Sequence, residues 1–571
     1  MPANIIPYLD ILPVELIYHI LNFLDTHTIL LSLRYVCKHF YVISNVFNQC
    51  KLNLNSCRKS DFYRFCRIIN PLNVISLILS DDDKTPGQIG LFLSRFNLKQ
   101  FNHLRSLILL EIDDSNLNVI LHDLPYLFLT SLTIKSRASL TWTQQTLAYL
   151  SKILEQSSLK ELTLSIWCFE IYDFVWPNQC QIEYLHISNR ITFEQYCILL
   201  EQCLFLRTLI IKDVLWNDTD ISVSIFYRQL NSLTLEDNRM DVFKLEQFLS
   251  LTPSLIYLKV IGMAYLIDSY RWEKILRIKL PNLNTFEFFF LSWKDVNYSF
   301  CDIESLIQPF QTSFWLENKQ WAVNCDYIIN PTEVMLYSVP ICKTSFQYYD
   351  EANKISCSNF TKMNINQAML DNICQLRLNL IKAINHEKSL QTPQLSTCPL
   401  FRNVTELTLD LDYKCPNTLL QSLSNIINLS TITQVIFNLN YDIDFDLHTR
   451  TNLINIFKQT SNIQTFEICN NLSPINACTT IGDICSLIPS HIQHLKVTVK
   501  NVNEMKIVFD RFKYLSSITF RFSFDTSIPS AKIIESFLNI KNDLTYKNDD
   551  SSIRVWLNHF MDDQETQFKI Y

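Results

Sequence analysis

The chain has 571 residues, which is longer than a domain with a single hydrophobic core. Because 48% of the residues are hydrophobic and 18% charged, wholesale disorder is excluded. The formal net charge of -7 gives no general attraction to nucleic acid or to anionic lipid. The chain has only 4 glycines, which cannot be assembled into a phosphate-binding loop or a dinucleotide fingerprint. We therefore expect several domains or a solenoid, without a nucleotide or other cofactor.

The cysteines and the N-terminal residues bear on the compartment. The 18 cysteines are scattered and contain no C-x-x-C pair, and the chain begins without the basic region of a signal peptide. No uninterrupted run of about 18 apolar residues is present, so no membrane span is expected. These features predict a reducing compartment, the cytoplasm or also the nucleus, in which the cysteines are mostly small buried hydrophobes.

Residues 8–48 have the spacing of two or three short helices. Pro13 suits a first helical turn, and Asp25 is a candidate N-cap for a second helix. Apolar residues recur at three- and four-residue intervals, first at Leu16, Ile20, Phe23 and Leu24, and then at Leu30, Leu33, Val36, Cys37 and Phe40. So small a unit cannot bury all of this surface by itself. The rest is covered either by the next domain, which the helices would then cap, or by a partner.

The order of these residues resembles an F-box. The matching stretches are Leu-Pro-x-Glu-Leu from Leu12, Ile-Leu-x-Phe-Leu-Asp from Ile20 and Leu-x-x-Val-Cys-x-x-Phe from Leu33. The resemblance implies docking onto the Skp-type adaptor of a cullin–RING ubiquitin ligase. It also implies that the adaptor-binding residues are Leu12, Pro13, Leu16, Ile20, Leu21, Leu24, Val36 and Cys37.

A six-residue pattern, Leu-x-x-Leu-x-Leu or a near variant, repeats along most of the remaining chain. Consecutive copies begin 23 to 31 residues apart, for example at Ile182, Leu206 and Leu230, with one longer gap between Leu283 and Val404. This period is typical of leucine-rich repeats. Alternating leucines place one side of a short strand inward, so Leu233 and Leu235 should be buried. A single strand and helix cannot bury that face alone, so the repeats must stack.

The sequence therefore predicts an α/β fold in which an N-terminal helical F-box is followed by an irregular leucine-rich-repeat solenoid, a horseshoe. The pattern resembles F-box proteins with degenerate leucine-rich repeats, because the asparagine that usually follows the strand is in register only at Asn238. The expected boundaries are residues 8–50 for the F-box, 51–70 for a linker or first repeat helix, 71–288 for repeats, 289–403 for an irregular region, and 404–571 for further repeats and a C-terminal cap.

Residues 289–403 interrupt the repeat. They contain a candidate strand pair, WAVNCDY and EVMLYSV, and helical apolar spacing over 364–386, followed by a polar segment at 386–397 that predicts a mobile loop. The region is either a set of eroded repeats or an element inserted on the rim of the horseshoe.

Strand positions that alternate with the buried leucines should face the hollow of a horseshoe. They are rich in hydroxyls and mixed in charge, which suits a protein ligand better than nucleic acid. Aromatic residues near 314–349 are candidate anchors. The predicted target-binding residues are Thr163, His186, Thr234, Lys259, Glu287, Phe314, Trp315 and Thr408.

No pattern indicates catalysis or a metal site. His491 and His494 lack a carboxylate or cysteine partner at ligand spacing, and Asp81, Asp82 and Asp83 read as a solvated loop. We therefore expect no enzyme. The leading hypothesis is a non-catalytic substrate receptor with a Skp-type adaptor, a cullin complex and an unknown target protein as partners. The alternative is a leucine-rich-repeat scaffold whose F-box-like helices only cap the solenoid.

Overall fold

A computed structural model describes residues 12–557. Outside the description are residues 137–142, 157, 166–173, 179, 217–225, 264–268, 293–302, 330–331, 349–353, 361–369, 380–398, 412–422, 425, 440–446, 471–481, 483–484, 486–487, 513–514, 523–544 and 550. The segment at 386–397, predicted to be a mobile loop, lies among them.

The described chain begins with helices and continues as a strand-rich region of mixed α/β structure. The helices are α1 (Val14–Phe23), α2 (Thr26–Leu31), α3 (Lys38–Val46), α4 (Lys59–Ile68), α5 (Gln88–Leu93), α6 (Asp114–Asp123), α7 (Gln144–Leu154), α8 (Phe193–Gln202), α9 (Val242–Ser250), α10 (Ser269–Ile278), α11 (Ile303–Ile307), α12 (Leu447–Gln459) and α13 (Val502–Arg511).

The strands form two sheets. The first contains β1 (Cys50–Asn53), β2 (Val74–Ser80), β3 (Ser106–Ile112), β4 (Ser131–Ser136), β5 (Glu161–Ser165), β6 (Tyr184–Thr192), β7 (Thr208–Leu215), β8 (Ser232–Asn238), β9 (Tyr257–Met263), β10 (Thr285–Ser292), β11 (Val323–Ile328), β12 (Glu333–Ser338) and β14 (Lys354–Ser358). The second contains β13 (Ser345–Tyr348), β15 (Gln375–Asn379), β16 (Glu406–Leu411), β17 (Gln434–Leu439), β18 (Thr465–Asn470), β19 (His494–Val499), β20 (Ser517–Phe522), β21 (Thr545–Asp549) and β22 (Ser552–Trp556).

Both sheets are mainly parallel, and their strands follow the chain order. Strands β1 to β10 pair in sequence in the first sheet, and β13 and β15 to β20 do so in the second. We call these parallel strands, with the helices between them, the array. Antiparallel strands follow the last parallel strand of each sheet, with β12, β11 and β14 after β10, and β22 and β21 after β20. Among the described strands, neither sheet closes on itself by hydrogen bonds.

The repeated hexamers coincide with the parallel strands β2 to β10 and β16 to β20. Their leucines are in register across neighbouring strands, as in the series Leu77, Leu107, Leu132 and Leu162. All four are fully buried, as is Leu235. Burying a leucine stabilises the fold by about 1.5–3 kcal/mol. A row of such leucines therefore holds successive strands together through a shared core.

Helices pack against these strands and complete the core. The Thr192 hydroxyl accepts a hydrogen bond from the Gln195 backbone N–H, and the Gln195 side chain accepts one from the Thr192 N–H. This capping box, which the spacing of the two residues predicts, begins α8. The buried face of α8 then places Tyr196 against Phe248 of α9, with 4.5 Å between ring centroids.

The irregular region contains strands of both sheets. The predicted strand pair is present as β11 and β12, which are antiparallel. The helix predicted over 364–386 is wrong in its described part, because residues Gln375–Asn379 form β15. Leu376 and Leu378 are buried between their neighbours in β13 and β16, so tertiary pairing overrides the helical spacing.

The N-terminal helices share a core with the first strands. Ile17, Leu21 and Ile29 belong to the same cluster of buried side chains as Leu77 and Leu107. The Thr26 hydroxyl donates to the Lys51 carbonyl of β1 at 2.6 Å, and the Asn73 amide donates to the Asn45 carbonyl at 2.8 Å. The N-terminal helices are therefore packed directly against the first strands.

The C-terminal hairpin, β21 and β22, contacts the first strands of the chain. Lys547 forms ion pairs with Asp81 and Asp113, the second at 2.6 Å. The Trp556 ring lies 5.4 Å from that of Phe62, and neither side chain is exposed. The prediction that Asp81 belongs to a solvated loop is therefore wrong, because its carboxylate is buried against Lys547.

Within the part of the chain that the structure describes, no helix combines the length and the apolar character needed to cross a membrane.

Replacing Lys547 by Ala should loosen this junction. The Asp81 carboxylate would remain buried without its cation, which typically costs about 3–5 kcal/mol. Native-state hydrogen exchange should show a lower free energy of opening for β2, β3 and β22. Lys506→Ala, on the exposed face of α13, is the control, and Asp81→Asn in the Lys547→Ala background should restore part of the loss. Unchanged exchange in Lys547→Ala would contradict the role assigned to the ion pairs.

Candidate functional site

The helical unit is built from short, defined helices. Pro13 immediately precedes α1, and Asp25 is the N-cap of α2, where its carboxylate accepts a hydrogen bond from the Thr28 N–H at 2.7 Å. Desolvation acts to raise the pKa of Asp25, but this hydrogen bond, a second one from the Thr28 hydroxyl and smaller effects together lower it. Ile17 and Leu21 turn the inner face of α1 toward the core. The opposite face of α1 is left in solvent.

Several of the predicted adaptor-binding residues are exposed to solvent. Leu16 is 49% exposed, Ile20 38%, Leu24 36% and Val36 66%. Pro13 is also exposed, whereas Leu12 and Cys37 are half-buried and pack against the core.

Leu21 does not lie on this surface. It is 1% exposed, because the helical turn that exposes Ile20 directs the next side chain inward. The structure therefore assigns Leu21 to the core of the helical unit, which corrects its inclusion among the adaptor-binding residues.

Other exposed apolar side chains of the unit were not among the predicted site residues. Phe23 is 90% exposed, and Tyr35, Val42 and Val46 are each more than half exposed. Phe23 follows Ile20 by three positions, so helical periodicity alone could have identified it. Together with Leu16, Ile20, Leu24 and Val36, these four residues form what we call the helical apolar patch. These eight exposed apolar side chains all lie within residues 16–46, and clustered exposed apolar residues mark candidate protein interaction sites.

The predicted target-binding residues of the first sheet form a row across neighbouring strands. Thr163 is paired in register with His186, and Thr234 with Lys259, which is paired in turn with Glu287. Ile210 of β7 links the two parts of the row. Thr234 is buried and the other predicted residues are half-buried. Thr408 occupies the equivalent position in β16 of the second sheet.

Phe314 and Trp315 are not available as surface anchors. Phe314 is 4% exposed and Trp315 0%, and their rings lie edge to face, 5.6 Å apart. Trp315 also packs against Phe310 at 4.7 Å. These aromatic rings belong to the buried core of the first sheet. The prediction that Phe314 and Trp315 bind a target at the surface is therefore corrected.

His186 lies close to a serine and a glutamate, which is the composition of a catalytic triad, but the geometry of the three side chains differs from that of a triad. The Ser188 hydroxyl lies 3.2 Å from Nε2 of His186, and Glu236 Oε2 lies 3.8 Å from the same nitrogen. A nucleophile relay needs the hydroxyl and the carboxylate on opposite ring nitrogens. The group is therefore a polar contact between strands β6 and β8.

A polar cavity of about 350 Å³ lies where the loop after β2 meets the second sheet. Lys496 Nζ of β19 is 2.8 Å from Asp83 Oδ2 and 3.6 Å from Glu467 Oε1. Burial, with smaller effects of Lys84 and Arg58, lowers the pKa of His494 to about 3, so this ring is neutral near pH 7. Its Nδ1 lies 2.9 Å from the Ser517 hydroxyl. His494 thus has a structural contact inside the second sheet.

The capacity to bind metal and the state of the free thiols are the remaining chemical features of the described residues. No cluster of three or more His, Cys, Asp or Glu side chains among them could hold a metal ion. Burial raises the pKa of the Cys50, Cys66 and Cys485 thiols to about 11, so these thiols are protonated near neutral pH.

Comparison with known proteins identifies one segment. A family model described as F-box-like matches residues 9–47, the segment that contains α1 to α3 and the whole helical apolar patch. The N-terminal helices are therefore an F-box-like domain. No curated protein matched the chain in a sequence search.

The burial of His494 predicts a pH dependence of stability. Because the folded-state pKa is about 3 and the unfolded value 6.5, His494 costs no stability above pH 6.5, and stability falls as the pH decreases from about 6.5 toward 3. Within that window the loss attributable to His494 should be about 1 kcal/mol per pH unit. His494→Gln should flatten the pH dependence of urea unfolding, whereas His491→Gln, at an exposed position, should not. Equal slopes in the wild type and His494→Gln would refute this assignment.

Proposed function

We propose that this chain is a non-catalytic substrate receptor of an SCF-type cullin–RING ubiquitin ligase. In this proposal the F-box-like domain binds a Skp-type adaptor, which connects the chain to a cullin. The parallel strands form an irregular leucine-rich-repeat solenoid, which holds a target protein while other subunits transfer ubiquitin to it.

The observation that carries the proposal is the match of an F-box-like domain to a surface that remains apolar after folding. Leu16, Ile20 and Val36 are solvent-exposed, although the same helices bury Ile17 and Leu21 in the core. Exposed apolar surface of this extent is typical of protein interaction sites. F-box domains typically bind Skp-type adaptors, so the adaptor is the partner that this surface fits best.

The array supports the second half of the proposal. The polar row offers hydroxyl and imidazole groups from Thr163 and His186 on β5 and β6, and charged groups from Lys259 and Glu287 on β9 and β10. Such a surface distributes hydrogen-bonding groups over several repeats and suits a protein ligand more than a small metabolite.

A second candidate function rests on the packing of the helices against the array. The F-box-like domain shares its core with β1 to β3 and is bonded to them through Thr26 and Asn73. An interaction scaffold whose helices only cap the solenoid would have the same contacts. It would not need an adaptor for the helical apolar patch.

The two candidates differ in what happens when the patch is truncated. Ile20→Ala with Val36→Ala removes apolar area that is exposed in the free chain, so the thermal midpoint should change little. Adaptor affinity measured by calorimetry should fall by about two to four orders of magnitude, since burying each of the two intact side chains contributes about 1.5–3 kcal/mol.

The matched control is Ile278→Ala with Val119→Ala, which truncates the same two residue types at exposed positions outside the F-box-like domain. It should leave adaptor binding intact. Failure of the wild-type chain to bind a Skp-type adaptor at micromolar concentration would reject the receptor in favour of the scaffold.

A further inference from the structure

Two buried thiols lie side by side between β6 and α8. Cys180 is 1% exposed and precedes β6, and Cys203 is 0% exposed and forms the C-cap of α8. Both are free thiols, and neither belongs to the helical apolar patch or to the polar row. A buried thiol is usually inert packing, whereas a pair in contact and of unequal acidity is a site of thiol chemistry.

The backbone holds the two cysteines next to each other. The Cys180 N–H donates to the Gln202 carbonyl at 3.2 Å, so it bonds to the residue directly before Cys203, as neighbours in a parallel bridge do. Adjacent strands lie about 4.7–4.9 Å apart, which is inside the range of about 4.4–6.8 Å that a disulfide requires between its Cα atoms. Cys203 is itself fixed, because its N–H donates to the Leu199 carbonyl at 2.9 Å. A disulfide between the two residues therefore needs no large movement of the backbone.

The side chains point toward each other, and the pair is not symmetric. The Cys203 thiol donates a hydrogen bond to the Cys180 sulfur. This bond, together with a smaller effect of the Ile182 N–H, lowers the pKa of the Cys180 thiol although desolvation acts to raise it. The same hydrogen bond and burial raise the pKa of Cys203. Because the Ile182 N–H acts only on the Cys180 sulfur, Cys180 is the thiol that ionises first.

Cys325 and Cys357 provide an internal comparison. They face each other in register between β11 and β14, and burial raises the pKa of the Cys325 thiol to about 12. The Asn359 N–H donates to the Val323 carbonyl at 3.1 Å. Since hydrogen-bonded pairs alternate along an antiparallel ladder, Cys325 and Cys357 form a pair of the wider kind, with about 5.5 Å between Cα atoms and side chains farther apart. This second pair is therefore less suited to a disulfide.

We infer that Cys180 and Cys203 are a reversible oxidation site, at which a peroxide converts the two thiols into an intramolecular disulfide between the segment before β6 and the end of α8. In a reducing compartment the pair is in the dithiol form, and the disulfide forms while peroxide is present. The inference goes beyond the proposed function and does not depend on it.

The reaction balances with hydrogen peroxide as the oxidant. The Cys180 thiolate attacks one peroxide oxygen, the O–O bond breaks, and the leaving hydroxide takes up the proton that Cys180 released, which gives a sulfenic acid and one water. The Cys203 sulfur then attacks the Cys180 sulfur, the S–O bond breaks, and hydroxide leaves with the Cys203 proton as a second water. Two thiols and one peroxide thus become one disulfide and two waters, and a reducing dithiol reverses the change.

The disulfide would close the loop that contains β6 and α8. β6 carries His186 of the polar row, and α8 packs Tyr196 against Phe248 of α9. A crosslink of this kind constrains chiefly the opened and unfolded states of the loop. Local opening of β6 and α8 is therefore rarer in the disulfide form than in the dithiol form.

The test is peptide mapping of the full chain after exposure to hydrogen peroxide. The reaction is quenched with acid, the remaining thiols are alkylated in urea with N-ethylmaleimide, and the digest is analysed by mass spectrometry without reduction. Peptides joined through Cys180 and Cys203 should appear before any joined through Cys325 and Cys357, and dithiothreitol should separate them. Amide hydrogen exchange in β6 and α8 should be several-fold slower in the oxidised chain.

Single alanine variants separate the roles of the two thiols. Cys203→Ala should leave Cys180 as a sulfenic acid that a cyclic diketone probe labels, whereas Cys180→Ala should leave Cys203 unlabelled. Cys50→Ala, which removes a buried thiol of β1, is the matched control and should form the disulfide as the wild type does. Peptide mapping of the wild type decides by itself if either variant fails to fold.

Absence of the Cys180–Cys203 crosslink, earlier formation of the Cys325–Cys357 crosslink, or a product that dithiothreitol does not reverse would each overturn the inference. Labelling of Cys203 in Cys180→Ala would overturn the assignment of Cys180 as the attacking thiol. Equal exchange rates in the oxidised and reduced chains would contradict the constraint on β6 and α8.

Discussion

Burial of alternating leucines between neighbouring strands is the constraint on which the rest of this structure depends. A strand such as β8 buries Leu233 and Leu235 only because β7 and β9 place leucine, isoleucine and valine side chains beside them. Each unit therefore needs a neighbour, and the first and last units need a cap. The N-terminal helices cover the start of the first sheet, and the antiparallel hairpin of β21 and β22 covers the end of the second.

The same constraint explains why charged residues are buried where the hairpin meets the first strands. Asp81 follows β2 directly, and its carboxylate accepts a hydrogen bond from the Ile89 N–H at 2.8 Å, which anchors the start of α5. Burial raises the pKa of Asp81, while Lys547 and this backbone hydrogen bond act to lower it. Arg554 donates to the Asp81 carbonyl at 2.9 Å. The hairpin is thus fixed by charge and hydrogen bonding in addition to the apolar contact between Trp556 and Phe62.

Much of the fold could be predicted from the sequence because one period dominates it. Leucine spacing located the parallel strands from β2 to β10 and from β16 to β20. It failed at β15, where Leu376 fits both a helical series with Met369 and Ile373 and a strand series with Leu378. The choice is made by pairing with β13 and β16, which are distant in sequence.

The candidate site was predictable to a smaller extent. Motif order placed Leu16, Ile20 and Val36 on one functional surface, but it could not distinguish exposed Ile20 from buried Leu21, because both belong to the same motif pair. Phe314 and Trp315 were misassigned since exposure of an aromatic residue depends on tertiary packing. A cavity at Lys343, between the two sheets, is lined by residues from five strands and could not be seen before the sheets were assembled.

Hydrogen exchange measured by mass spectrometry, with and without a saturating Skp-type adaptor, tests the central claim most directly. The account predicts that the adaptor slows exchange at amides of α1 to α3, within residues 12–47, and leaves the strands of the second sheet unchanged. No slowing in α1 to α3, or slowing confined to the strands, would contradict the assignment of the helical apolar patch as the adaptor-binding surface.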